Sequence, residues 1–386
     1  MRHIILLAWR YLVDSKVRTF VIATGIGLTI LLPLCVNLLV DRYSRELVDR
    51  SESTPLVIGM AGSRYDLVLN SLYFRGRVPR PLGMDELEYV QGSGLANPIP
   101  LLVRNTASDF PVVGTDLDYF EFRGSRIASG RLPLHLGECV LGASVAAELG
   151  MDTGATILSD QKNLYDLSKS YPLRMRVCGV LQPSSSADDA AVFCDLKTAW
   201  IIEGLGHGHQ EAVEQTEDAV IAREGDRVVL NSSIVEFNEV TPENAQDFHF
   251  HGASKDLPLT AILLQPHNDR ARTMLKGRYR VREGVQLLVP TEVIGELLGF
   301  VFQIKLFFDA NTTLVMLATL LFLSTILLLS VQVRQRQMQT LARIGCARMT
   351  VAKILGTELV LTILLGLLIA SAAALLLLTI IPDQAA

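Results

Sequence analysis

Three runs of this 386-residue chain carry no charged side chain, and all three lie near its ends. Thr19–Val40 is uncharged over 22 positions, Ala310–Val333 over 24 and Leu359–Ile381 over 23. At a rise of ~1.5 Å per residue, a helix of any of these lengths crosses the ~30 Å hydrocarbon core of a bilayer. Between the first two, residues 43–305 hold charges, prolines and glycines at the density of an ordinary globular protein. Two solvents therefore act on one chain. The expected fold class is a membrane protein with three α-helical spans and a large α+β extracytoplasmic domain. A cleaved signal peptide would have a shorter apolar core and a small-residue cleavage site, whereas Asp41, Arg42, Tyr43, Ser44 and Arg45 follow the first run, which reads as an anchor. Pro33 is tolerable within it, because neighbouring helices can re-satisfy the carbonyl that it frees.

Orientation follows from basic residues, which are enriched on cytoplasmic flanks. Arg2, Arg10, Lys16 and Arg18 precede the first run, and Arg334, Arg336, Arg343, Arg348 and Lys353 separate the second from the third. Both flanks are expected in the cytoplasm, which places the polar bulk and the C-terminal tail on the far side. The expected order is a cytoplasmic interfacial helix (1–18), a first span (19–42), the extracytoplasmic domain (43–305), a second span (306–333), a cytoplasmic helix (334–354), a third span (355–381) and a tail (382–386). Within the first segment, residues 3–13 read as an amphipathic helix with Trp9 and Tyr11 suited to the headgroup level. Gly25 and Gly27 put small residues on the first span, where another helix can approach closely. A net charge of -5 argues against nucleic acid as a partner.

The central domain alternates short β-like stretches with turns. Residues 55–59, 66–69 and 174–181 read as strands, and Ala143–Leu149 and Pro290–Leu298 as helices, the latter with a Pro-Thr-Glu start. The polar stretch 182–227 reads as exposed or inserted, and an inserted subdomain is expected around 150–250. Cys139, Cys178 and Cys194 fall in this domain, where an odd number cannot all pair: one disulfide or buried free thiols remain open.

Four of the seven histidines form two His-x-His pairs, His207 with His209 and His249 with His251. Alternate residues of a strand share a face, so each pair can aim two imidazoles at one ion. Imidazole suits zinc, copper or nickel, and four nitrogens would complete a tetrahedral zinc site. Glu203, Glu211 and Asp247 are further donors close in sequence, and solvated loop histidines are the plain alternative.

The segment from Arg334 to Glu358, with Arg334, Arg336, Leu341, Arg343, Gly345 and Glu358 at the matching positions, resembles the cytoplasmic loop of MacB-like and FtsX-like (LolCE-related) ABC permeases. Cys346 and Met338 depart from that pattern. Val112–Phe120, Gly130-Arg-Leu-Pro133 and Gly137–Gly150 are similar to the external MacB-like periplasmic core domain of those permeases, as is Ala8–Leu12 followed by Lys16-Val-Arg-Thr19 to their N-terminus. The resemblance implies a multi-pass protein of the inner (cytoplasmic) membrane with a periplasmic domain. It implies that 334–354 is a coupling helix docking into a separate ABC ATPase, with Arg343 and Arg348 meeting acidic groups, Leu341, Ile344 and Met349 as apolar anchors, and Arg336 and Gly345 completing the coupling set.

The same resemblance implies a second permease protomer, hence a dimer, membrane lipid at the spans, a periplasmic adaptor or substrate-binding protein, and mechanical transmission of ATPase closure to the external domain. Such permeases carry four spans per protomer; three are read here, the third ending just short of Ala386. No Gly-x-x-x-x-Gly-Lys-Ser/Thr loop occurs in the sequence, so ATP hydrolysis is expected in the partner and no catalytic residue is expected here. The alternative function is an ATPase-coupled regulator or scaffold controlling a periplasmic partner.

Overall fold

The computed structural model describes residues 2–161, 172–208, 220–224, 227–230, 237–250, 255, 257–333 and 348–380. In chain order the helices are α1 (Arg2–Asp14), α2 (Lys16–Glu52), α3 (Arg64–Tyr73), α4 (Met84–Ser93), α5 (Asp118–Arg123), α6 (Ala143–Leu149), α7 (Leu196–Ile202), α8 (Asp269–Arg280), α9 (Pro290–Val333) and α10 (Arg348–Ile380). The strands are β1 (Leu56–Met60), β2 (Leu82–Gly83), β3 (Ala96–Ala107), β4 (Phe110–Thr115), β5 (Ile127–Gly130), β6 (Glu138–Leu141), β7 (Thr156–Leu158) and β8 (Arg174–Leu181). They continue with β9 (Val192–Asp195), β10 (Gly206–Gly208), β11 (Val220–Glu224), β12 (Arg227–Leu230), β13 (Phe248–Phe250), β14 (Pro258–Leu259), β15 (Ala261–Pro266) and β16 (Val285–Leu288). The chain forms two compact units: Met1–Arg45 with Leu298–Gln384, and one built on Glu46–Leu297.

In the first unit, α2, α9 and α10 each contain a segment long and apolar enough to cross a membrane. Phe20, Leu28, Leu320, Leu321, Phe322 and Leu368 are exposed on them, an outward apolar surface that water would penalise and hydrocarbon accepts. Helix α1 packs against α10 and buries Ala8 and Leu12, and the Thr19 hydroxyl donates to the Leu12 carbonyl at 3.1 Å. Helices α2 and α10 approach backbone to backbone. A Cβ on Gly27 would lie 3.0 Å from the Gly366 carbonyl oxygen, and one on Gly366 would lie 2.9 Å from that of Ala23, so glycine at both positions is what permits the spacing. Gly25 faces open space.

The second unit is built on one mixed sheet in the order β16-β1-β15-β3-β4-β9-β6-β8-β5, with β7 added on β8. Its pairs are antiparallel except β4 with β9 and β6 with β8. Leu56, Ile58, Leu102, Leu141, Val177, Val192, Ile262 and Leu264 join one buried cluster, each such side chain worth ~1.5–3 kcal/mol when fully withdrawn from water.

Two sequence expectations change in this unit. Residues 66–69 are helical, inside α3, because the Ser63 side chain accepts the Asp66 N–H at 3.2 Å as an N-cap and Phe74 closes the helix in the left-handed region at φ 56°. Val192–Ile202 is not an exposed insertion: β9 lies between β4 and β6, and α7 buries Thr198, Ala199, Trp200, Ile201 and Ile202. Outside the main sheet, β10 pairs β13 and β11 pairs β12 as separate two-stranded ribbons. Cys139 and Cys194 are opposite one another across β6 and β9, and both are buried free thiols; Cys178 is a half-buried one. Burial pushes the Cys139 and Cys194 thiols well above their usual range, and that of Cys178 up to about 11.

Candidate functional site

The external motif residues become legible once placed on these strands. Gly137–Gly150 forms β6, a turn and α6, while Gly130-Arg-Leu-Pro133 leaves the end of β5. Arg131 reaches back to Glu138 with two guanidinium bonds, Nη2 to Oε1 at 2.5 Å and Nη1 to Oε2 at 2.7 Å. Glu138 also accepts the backbone N–H groups of Leu134 (3.2 Å) and His135 (3.1 Å). Burial alone would raise this carboxyl, but Arg131 and those amides hold it below the usual carboxylate range. One bidentate pair thus ties two of the motifs together. Gly142, at the turn into α6, lies against the carbonyl oxygens of Asp188 and Asp189, where any Cβ would collide with backbone.

That contact leads to a buried polar cluster. Arg50, in the last turn of α2, donates from Nε to the Leu72 carbonyl, from Nη1 to Ser186 Oγ at 3.3 Å, and from Nη2 to both the Tyr119 hydroxyl (3.0 Å) and Asp188 Oδ1 (2.6 Å). Tyr119, from the Val112–Phe120 motif, donates its own proton to Asp188 Oδ1 at 2.6 Å. The Arg50 guanidinium lies over the Phe74 ring, 5.3 Å from its centre. Desolvation opposes ionisation of Asp188, yet Arg50 overcomes it and leaves the carboxyl below the normal range; burial drives the Tyr119 hydroxyl well above its own. Next door, Asp189 accepts the N–H groups of Ser184 and Ser185, which fixes the turn that carries Asp188.

A cleft of about 430 Å³ opens beside the cluster, lined by Glu46, Arg50, Arg123, Arg126, Ser184 and Ser186 among others. Arg123 donates from Nη1 to the hydroxyls of Ser53 (3.1 Å) and Thr54 (2.9 Å) and lies over the Phe122 ring at 4.9 Å. Asp116, between β4 and α5, is pushed up to about 6, by burial first and then by the charge of Asp118. In the sequence Tyr119 stands out only as part of the Val112–Phe120 motif, and Asp188 falls in the polar stretch 182–227 that reads as exposed or inserted. Arg50 and Asp188 carry no local signal, because their contact joins positions 138 residues apart.

Of the coupling residues expected from sequence, Arg336, Leu341, Arg343, Ile344 and Gly345 lie outside the described residues. Arg348 and Met349 begin α10, and Met349 is 68% exposed. Glu358 on α10 pairs with Arg18 on α2 at 2.5 Å. Of the histidines, His207 on β10 and His249 on β13 face one another in cross-strand register, with ring centres 4.7 Å apart. His209 and His251, and with them Glu211, lie outside the described residues. Glu203 pairs with Arg104 at 3.0 Å. Among the described residues, no group of three or more His, Cys, Asp or Glu side chains is placed to hold a metal ion.

A family model described as the MacB-like periplasmic core domain matches residues 19–247, more than half of the chain. Among solved structures, the periplasmic region of MacB from Actinobacillus actinomycetemcomitans is similar at 10% identity and a TM-score of 0.37, covering 65% of this chain and 97% of that one. The extracellular domain of the ABC-type transporter YknZ from Gram-positive bacteria is similar at 10% identity and a TM-score of 0.33, covering 60% of this chain and 98% of that one. No curated protein matches significantly. The motifs that carry Arg131 and Tyr119 lie within the matched residues, and the described residues hold three helices of membrane-crossing length: the chain is a membrane protein of the ABC permease type, belonging to the MacB-like periplasmic core domain family.

Proposed function

We propose that this chain is the transmembrane subunit of an ABC transporter of the inner membrane, working as a dimer with a separate ATPase to move a periplasmic or lipid-associated substrate. Its membership of the MacB-like family over residues 19–247 carries this reading. Segment 334–354, with Arg336 and Gly345 in it, is the docking element in this proposal: Arg343 and Arg348 face acidic groups of the ATPase, and Leu341, Ile344 and Met349 fill its groove. Exposed Met349 at the start of α10 supports that assignment, since an exposed apolar side chain beside basic residues suits a small hydrophobic anchor better than bulk water. ATP hydrolysis belongs to the partner, and a periplasmic adaptor completes the path.

The test is purification of the full chain from its native membranes together with whatever ATPase accompanies it, followed by reconstitution into liposomes. Arg348→Glu combined with Met349→Asp should abolish copurification while the protein still inserts and melts as the parent does. ATPase activity stimulated by periplasmic extract favours transport; stimulation of a bound periplasmic hydrolase instead favours the regulatory role. An unaltered ATPase complex with the double variant would remove 334–354 as the docking element.

A further inference from the structure

The ribbon of β10 and β13 has two unlike faces. Strand alternation sends Gly206 and Gly208 to the same side as Phe250 and Phe248, their cross-strand partners, and His207 to the same side as His249. The phenylalanine side is anchored: Phe250 meets Trp200 edge to face at 6.1 Å, Phe248 lies 6.3 Å from Phe237, and both pack against the main core. The imidazole side is left facing outward, His207 half-buried and His249 exposed.

We infer that His207 and His249 form a two-imidazole site for a divalent transition-metal cation such as Zn²⁺, Cu²⁺ or Ni²⁺. With metal–nitrogen bonds of ~2.0–2.1 Å and ligands set at about the tetrahedral angle, two imidazoles sharing one ion have ring centres about 5 Å apart. The observed separation is 4.7 Å, with the ring planes inclined at 69°. His249 Nδ1 lies 3.3 Å from the Asp247 carbonyl oxygen. A proton held there directs the lone pair to Nε2, the arrangement by which an outer carbonyl orients a metal-bound histidine. Both imidazoles are carried on strands whose opposite face is packed into the core, so the backbones that set their separation are already fixed before an ion binds. Imidazole pairs favour borderline cations over Ca²⁺ or Mg²⁺, which take oxygen ligands. Two protein ligands leave coordination positions for water or for a donor from a bound partner, which suits an exchangeable ion. This site stands apart from the transport reading: either can fail alone. The competing use of the pair is edge-to-face ring packing, which needs no ion.

The experiment uses the full chain, purified in detergent without a polyhistidine tag and stripped with chelator. One equivalent of Cu²⁺ is added for electron paramagnetic resonance, and Zn²⁺ binding is measured by calorimetry. The parent protein should bind one ion and show hyperfine splitting from two nitrogens. His207→Gln and His249→Gln should each weaken Zn²⁺ binding by about tenfold or more, since loss of even an outer partner of a metal ligand costs ~10–100-fold, and each should reduce the nitrogen count. A parent spectrum without two nitrogens overturns the site whether or not the variants fold. So do affinities unaltered in both Gln variants, or a loss of binding confined to His209→Gln and His251→Gln.

Discussion

Arg50 and Asp188 meet at 2.6 Å with side chains only 5% and 4% exposed, a charge pair withdrawn from water between the last turn of α2 and the turn before β9. Such a pair gains little over an apolar replacement, but breaking it is expensive because the survivor is a buried, uncompensated charge. Arg50→Met should destabilise the external unit by about 3–5 kcal/mol, whereas Arg50→Met with Asp188→Leu should recover most of that loss. Hydrogen exchange or calorimetric melting of the full chain in detergent reads both. A single-variant loss below ~1 kcal/mol, the range of surface bridges, would show that the cluster relaxes into water.

Asp116 gives a pH dependence of opposite sign to that of Asp188. Its folded carboxyl is raised to about 6, so the folded state binds the proton more tightly than the unfolded one does. The stability it contributes is fully present below the unfolded value near ~3.9 and is lost as pH rises through about 6. Asp116→Asn should therefore be more stable than the parent at pH 7 and should flatten the gain in stability seen on going from pH 7 to pH 5. The difference between the two proteins isolates Asp116 from Asp195, whose carboxyl burial also raises. Asp188, held low by Arg50 against desolvation, loses its contribution only when pH falls below the ordinary carboxylate range.

Helix packing in the membrane unit makes a paired test. Gly366→Leu places a side chain against the Ala23 carbonyl and should cost about 1–3 kcal/mol, the usual penalty for overpacking. A Cβ at Gly25 meets nothing within 4 Å, so Gly25→Leu should be near neutral. Unfolding in mixed detergent micelles by denaturant titration compares them. Equal effects at the two positions would remove the close approach at Gly27 and Gly366.

The Arg18–Glu358 pair joins α2 to α10. Glu358→Gln should cost about 1.5–3 kcal/mol, the range for hydrogen bonds to charged groups, and a double-mutant cycle with Arg18→Gln should show coupling of similar size. Additive losses in that cycle would mean that the pair acts through other neighbours.

Several features were legible along the chain. The first two apolar runs lie within α2 and α9, and the third as far as Ile380 within α10; Arg174–Leu181 and Ala143–Leu149 are the strand and helix their patterns suggest. The motifs around Gly130, Glu138 and Tyr119 fall in the family match. Residues 66–69 misled because a short apolar run such as Leu67-Val68-Leu69 fits a strand as well as one helical turn, and the Ser63 cap that decides it lies outside that window. Val192–Ile202 misled because polar neighbours on both sides masked a short apolar strand that the sheet places in its middle.

Sequence alone determined which segments prefer hydrocarbon and where elements such as Arg174–Leu181 and Ala143–Leu149 form, since hydropathy and helical or strand periodicity are set by neighbours a few residues apart. The tertiary structure alone decided that Arg50 finds Asp188, that Arg131 closes on Glu138, and that His207 faces His249 across two paired strands. Those meetings depend on strand order and register, which bring together positions whose separation along the chain carries no energetic trace until the sheet has formed.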